Sequence, residues 1–343
     1  MLRPSFAFII GLATLLAGCD RHTAAPGAGD ASAPALAEVR IGFFPNLTHS
    51  QAVLGVGSGE FAAAIAPAKL TVRPFNAGPS LIEALFNNQV DIGYVGPGPV
   101  TSAFARSHGQ GIRVISGAAA DGVVIVARAG SGINSLSDLA GKKIATPQHA
   151  NTQDIAARHY LTATLHQKDT ANVLPVPNAD QAGAMARGDI DAAWSPEPWG
   201  SLLISQAGAK AVGEEKDLWP NREFSLTLVV TTPDFLAVHP DIVEKMLRVH
   251  HAWTQRLAAD PARYVGPLED ELAKLTGRRL PAGVTAAALA HVKFTDEPLA
   301  DSLQSYAQWG YELGLTQQPP ALDGLTDLTI LHKVQAQAPT TQP

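Results

Sequence analysis

Cysteine is nearly absent: Cys19 is the only one in 343 residues. That excludes an internal disulfide framework, a cysteine-based zinc site and an iron–sulfur ligand set. Charge is sparse at 16% of residues, and Lys plus Arg, at 25, do not outnumber Asp plus Glu, at 31. With no basic excess and no block of like charge, nucleic acid is excluded as a partner, because neutralising phosphates needs clustered Lys and Arg. No stretch reaches the roughly 18 consecutive apolar residues of a membrane-spanning helix. Catalytic and nucleotide signatures are missing too: there is no G-x-S-x-G elbow, no Walker A sequence and no G-x-G-x-x-G. His149, His159 and His166 lack the i, i+4 pairing of helical metal sites, and the adjacent His250 and His251 point about a hundred degrees apart on a helix. Solvated or capping roles are expected for these histidines, with no metal and no cofactor.

What is abundant is apolar. Hydrophobic residues make up 46%, alongside 30 Gly and 25 Pro. The chain can therefore bury a large core, as one large domain or two ordinary ones, joined by short, well-defined turns. Arg3 precedes an apolar run over 6–17 of signal-peptide length, and Leu16-Ala17-Gly18-Cys19 follows. Two readings apply: an ordinary secretory signal with an incidental cysteine, or a leader over 1–18 whose Leu16-Ala17-Gly18-Cys19 resembles a bacterial lipobox, which implies that Cys19 is acylated as the first mature residue. Residues 19–37, rich in Ala, Gly, Pro and Ser, read as a flexible leash. Asp20 is either a linker residue or, by its resemblance to the residue after the cysteine in bacterial lipoproteins, an inner-membrane retention signal.

From Glu38 short apolar strands alternate with amphipathic helices: Val39–Phe43, Leu70–Phe75, Ile92–Val95 and Ile112–Ala118 are strands, with helices over 50–61, 80–87 and 100–106 between them. This order predicts an α/β sheet, mostly parallel, with helices on both faces. A second α/β unit follows, with strands Lys142–Ala145, Val173–Pro175 and Ile190–Trp194. Val123–Val126 and Ser225–Thr231 bracket it and are the expected crossings of a hinge. From Pro233 the pattern is nearly all helical, and 332–343 is expected to be a disordered tail.

Four segments carry a family resemblance: Ile41 to His49, Ala145 to Gln148 with Asn151 to Asp154, Trp194 to Trp199, and Asp217 to Pro220. Together they resemble the nitrate/sulfonate/taurine family of ABC-transporter substrate-binding proteins, in order and spacing from about Glu38 to Leu331. The resemblance implies a type II periplasmic-binding-protein fold: two α/β lobes, a two-crossing hinge and a helical C-terminal part. Lobe 1 would comprise 38–126 and 225–331, and lobe 2 would comprise 127–224. It further implies a protein, expected to be a monomer, that hands a small anion or zwitterion to permease and ATPase subunits; with the acylated reading of Cys19 it would be lipid-anchored on the extracytoplasmic face of the inner membrane. Its ligand would be an aliphatic sulfonate, taurine or nitrate. A sensory protein that presents ligand to a membrane receptor is the alternative. A thiamine-pyrimidine-synthase-like enzyme is disfavoured, because that group's cysteine-rich motif is missing.

The same segments are chemically apt. Asn46 and Thr48 stand where a strand gives way to a helix, and Asn151 and Thr152 repeat the arrangement in the second unit. A helix N-terminus offers free N–H groups and a positive dipole end, so it can hold an anion without a cation, or it can simply be capped. Gln148 adds an amide donor, Ser80 opens a helix, and Gly96 lets backbone approach a ligand closely. Trp199 and Glu197 complete the candidate ligand-binding set. Glu197 either faces the cleft, favouring an amine-bearing ligand, or caps a helix locally.

Overall fold

The computed structural model describes residues 36–338. The leader, Cys19, Asp20 and most of the leash lie outside the described residues, as do the last five positions. Eleven strands are present among the described residues: β1 Glu38–Phe43, β2 Lys69–Pro74, β3 Ile92–Val95, β4 Arg113–Asp121, β5 Val123–Ala127, β6 Ile144–Thr146, β7 Val173–Pro175, β8 Ala192–Pro196, β9 Lys210–Glu214, β10 Ser225–Thr231 and β11 Val292–Phe294. They form a six-stranded sheet, β11-β4-β10-β3-β1-β2, and a five-stranded sheet, β7-β6-β8-β5-β9. β3, β5 and β10 are buried along their whole length. Strands buried along their whole length, of which β5 is a continuous Val and Ile run ending in Ala, fit sheets covered by helices on both faces.

The α/β expectation holds, but the sheets are mixed. β1 runs parallel to β2 and β3, whereas β10 is antiparallel to β3 and β4, and β4 to β11. In the second sheet β6 is parallel to β7 and β8, and β5 is antiparallel to β8 and β9. Strands that enter a sheet from the other lobe run against those built by local strand–helix–strand units, and this reverses their direction.

The crossings also sit elsewhere than expected. β5, which contains Val123–Val126, belongs wholly to the second sheet, and β10 belongs wholly to the first. The first crossing is the corner Asp121–Gly122, where φ is +59° and +77°. Positive φ turns the chain sharply between two strands, and Gly122 takes it without strain. The second crossing lies between β9 and β10, through the 3₁₀ turn Glu215–Leu218.

The C-terminal helices do not cover one lobe alone. Helix Ala300–Glu312 places Leu303 in a first-lobe core and Tyr306 in the second-lobe core, so it braces both. The expected tail from 332 is helical as far as Gln337, in helix Thr329–Gln337. Leu331 and Val334, three apart on one face, pack into the first-lobe core among polar neighbours.

Candidate functional site

A cavity lies between the lobes where several helices begin. The first lobe contributes Asn46, Thr48 and His49 from the 3₁₀ turn Leu47–His49, which runs on into helix Ser50–Gly57. It also contributes Ala77 and Gly78 at the start of helix Gly78–Phe86, and Gly96 just before helix Pro97–Arg106. The second lobe contributes Asn151, Thr152 and Gln153 at the start of helix Thr152–His159, and Asn178 at the start of helix Asn178–Arg187. Each helix start presents backbone N–H groups with no partner inside its own helix and the positive end of a dipole. No Lys, Arg, Asp or Glu lines the cavity. As closed here it measures about 20 Å³, room for about one water-sized group.

Two lining side chains define its chemistry. The His49 ring is buried, and loss of water pushes its pKa down to about 3. Its Nδ1 accepts a hydrogen bond from the Phe44 N–H at 3.4 Å, which leaves the proton of the neutral ring on Nε2. Thr227 sits in β10 where the register against β4 shifts on both sides of it. Such a bulge re-aims a side chain. The hydroxyl of Thr227 is buried with no hydrogen-bond partner in the protein. A buried, unbonded hydroxyl is costly, and Thr227 is one of the residues that line the cavity.

Several bonds hold the lobes closed over this space. The Leu47 N–H donates to the Glu197 carbonyl at 3.1 Å, and the Trp199 indole N–H to Asn46 Oδ1 at 2.7 Å. The Gly98 N–H donates to Thr152 Oγ1 at 3.3 Å. Gln148 Nε2 donates to Ser80 Oγ at 3.3 Å. A Cβ on Gly96 would lie 2.1 Å from Thr152 Oγ1, so only glycine permits this approach.

Of the sequence-predicted residues, Asn46, Thr48, Gly96, Asn151 and Thr152 line the cavity. Ser80 and Gln148 do not; they meet each other as a bridge between the lobes. Trp199 lines a neighbouring groove and latches Asn46. Glu197 takes its capping alternative. It is fully buried, and its carboxylate accepts the Ser201 N–H at 3.1 Å and the Ser201 hydroxyl at 2.8 Å. Helix Trp199–Ala207 begins two residues later, which puts Ser201 within reach of that side chain. Burial pushes the Glu197 carboxyl up, opposed by the Ser201 bonds.

Other motif residues serve the cores. The Trp194 indole donates to Glu215 Oε2 at 2.7 Å, and the Tyr306 hydroxyl to Glu215 Oε1 at 2.7 Å. Burial raises the Glu215 carboxyl to about 7. His250 and His251 are neither solvated nor capping. His250 is buried, with Nδ1 2.9 Å from the Tyr94 hydroxyl and Nε2 2.9 Å from the Gly117 carbonyl, and His251 meets Asp296 at 2.5 Å. Among the described residues no group of three or more His, Cys, Asp or Glu could hold a metal, and no helix is long and apolar enough to cross a membrane. His49, Gln153, Asn178 and Thr227 escaped the sequence reading of the site. His49 and Gln153 lay inside quoted motifs, whereas nothing local marks Thr227, which sits at a register shift between β10 and β4.

The family model described as the NMT1-like family matches residues 32–265. The taurine-binding periplasmic protein of Escherichia coli is 26% identical over 212 residues, 60% of this chain and 63% of that protein. A Brucella abortus protein whose name marks it provisionally as a binding protein is 27% identical over 195 residues, 56% of this chain and 59% of its own length. The chain thus matches about three-fifths of the length of these curated relatives. Among solved structures, the alkanesulfonate-binding protein of Xanthomonas axonopodis pv. citri superposes with a TM-score of 0.70 at 22% identity, covering 86% of this chain and 99% of that one. The likeness shows a shared fold, that of the periplasmic binding proteins, as the two-lobed architecture led one to expect.

Proposed function

The chain belongs to the NMT1-like family, and from that premise we propose that it is an extracytoplasmic solute-binding protein that captures a small monoanion between its lobes. The observation that carries this reading is the cavity: helix N-termini from both lobes, a neutral His49 and the unbonded Thr227 hydroxyl converge on a space lined by no charged side chain. Neutral donors can replace the hydration of one negative charge, as anion sites at helix N-termini do. A second charge on the ligand would be buried without a counter-ion, which is strongly unfavourable. Sulfonate and nitrate head groups therefore suit the site better than a phosphate dianion. The E. coli relative named for taurine and the structural relative named for alkanesulfonate support the same ligand class.

With Glu197 engaged at its helix, the cavity wall offers no carboxylate to an ammonium group. An amine on the ligand is thus carried outside the head-group site. Delivery to an ABC importer, and tethering through an acylated Cys19, belong to this proposal as well. A thermal-shift panel with nitrate, methanesulfonate, taurine and inorganic phosphate tests the binding reading. The three ligands with a singly charged anionic head, taurine being a zwitterion, should raise the melting temperature by mass action, and phosphate should do so least. No shift with any of the four at millimolar concentration would overturn it.

A further inference from the structure

Five residues with side-chain amides line the cavity: Asn46, Asn76, Asn151, Gln153 and Asn178. An amide can present its carbonyl oxygen or its NH2, and only its neighbours decide which. For four of these five the neighbours leave no choice. The Trp199 indole N–H, which can only donate, holds the Asn46 oxygen at 2.7 Å. The Asp154 backbone N–H holds the Asn151 oxygen at 2.8 Å, as at any helix N-cap. That turns the Asn151 NH2 to Gln153, whose oxygen it holds at 3.0 Å. Gln181 gives its NH2 to the Val176 carbonyl, which can only accept, at 3.0 Å, and the same NH2 holds the Asn178 oxygen at 3.3 Å. Asn76, the fifth, is exposed.

What these bonds leave over is of one kind. In Asn46, Gln153 and Asn178 the oxygen is engaged, and the NH2 has no hydrogen-bond partner among the described residues. None of the three nitrogens is sealed away from accessible space, as the Thr227 hydroxyl is. The His49 ring follows the same rule: the Phe44 N–H occupies Nδ1, and the Nε2 proton is left over. No carboxylate lines the cavity, and the threonine hydroxyls that do can donate as well. An anion without a hydrogen of its own is thus matched by donors. A head group that carries an O–H finds no amide, ring or carboxylate acceptor to receive it.

Resting on the monoanion reading, we infer that this orientation sets specificity: Asn46, Gln153 and Asn178 give N–H donors to the ligand, Trp199, Asn151 and Gln181 position them, and the site rejects oxyanion heads that retain a proton. A retained O–H is buried without a partner, and a polar site discriminates strongly on that ground. Methanesulfonate and methylphosphonate form the test pair. In mildly acid buffer both are monoanions of nearly one shape, and they differ by a single P–O–H. Calorimetric titration of the parent should show methanesulfonate bound at least about tenfold more tightly. Asn151→Ser keeps a cap on its helix but frees the Gln153 amide to turn its oxygen toward the ligand, so that preference should narrow at an unaltered melting temperature. Gln153→Leu should weaken methanesulfonate about tenfold. Equal affinity of the parent for the two anions would overturn the specificity and leave the anion site standing. A preference unchanged in Asn151→Ser, or an undiminished methanesulfonate affinity in Gln153→Leu, would overturn the roles of Asn151 and Gln153. Failure of methanesulfonate, methylphosphonate and nitrate alike to bind the parent would overturn the monoanion reading as well.

Discussion

Replacing Thr227 by valine separates folding from binding in one residue. The side chain is 1% exposed and its hydroxyl has no partner in the protein. Valine has the same shape, favours strands and exchanges the hydroxyl for a methyl. Leaving a hydroxyl buried and unbonded costs about 1–3 kcal/mol, so the ligand-free Thr227→Val protein should be as stable as the parent or more stable by up to about that amount. On the proposed reading the hydroxyl donates to the anion in the bound state. A hydrogen bond to a charged group contributes about 1.5–3 kcal/mol, so the dissociation constant for methanesulfonate should rise about tenfold to a hundredfold. Urea unfolding without ligand gives the first quantity and calorimetric titration the second. A stabilised apo-protein with weakened binding is the expected pair. A destabilised apo-protein with unchanged affinity would refute the assignment, because the hydroxyl would then be serving the fold.

Three other changes probe the latch, the cap and the hinge. Trp199→Phe removes the indole donor to Asn46, and losing one neutral hydrogen bond should weaken ligand binding about twofold to tenfold, with a larger radius of gyration by X-ray scattering at subsaturating ligand; unchanged affinity and radius would show that the latch does not hold the lobes. Glu197→Gln should change the affinities for taurine and ethanesulfonate equally in calorimetry, since the side chain caps Ser201, and a loss confined to taurine would return Glu197 to the ligand site. Glu215, raised to about 7 from an ordinary 4.5, holds in the folded state a proton that the unfolded chain has already released. Its contribution to stability is therefore full below pH 4.5, falls as pH rises and is gone above about 7, a span worth about 3 kcal/mol. Thermal melts of Glu215→Gln minus those of the parent should trace that slope, and a flat difference would mean that Glu215 ionises normally.

Much of the architecture was legible in residue order. Strand–helix alternation from Glu38, with Gly and Pro at the breaks, marks an α/β chain of two units, because period-2 and period-3.6 patterns are local properties. Asn46, Thr48, Asn151 and Thr152 were legible as residues of the cavity wall for the same reason: helix starts after parallel strands are written in adjacent residues. Direction and destination were not. β5 is apolar on both faces and β10 is buried along its whole length, and nothing within either run says which sheet it joins or which way it points; the corner at Asp121–Gly122 decides that for β5. Glu197 between two prolines had two chemically sensible fates, and the position of Ser201 one helical turn on chose the cap. His250, polar by composition, is buried because Tyr94, the Gly117 carbonyl and Asp296 arrive from distant strands and loops to satisfy it. Thr227 lines the cavity at a place where the register of β10 against β4 shifts on both sides of it, a long-range feature. The sequence alone determined the class of fold and where helix dipoles begin. Tertiary packing decided which polar groups are satisfied within the protein and which are left free for a ligand, since that depends on partners remote along the chain.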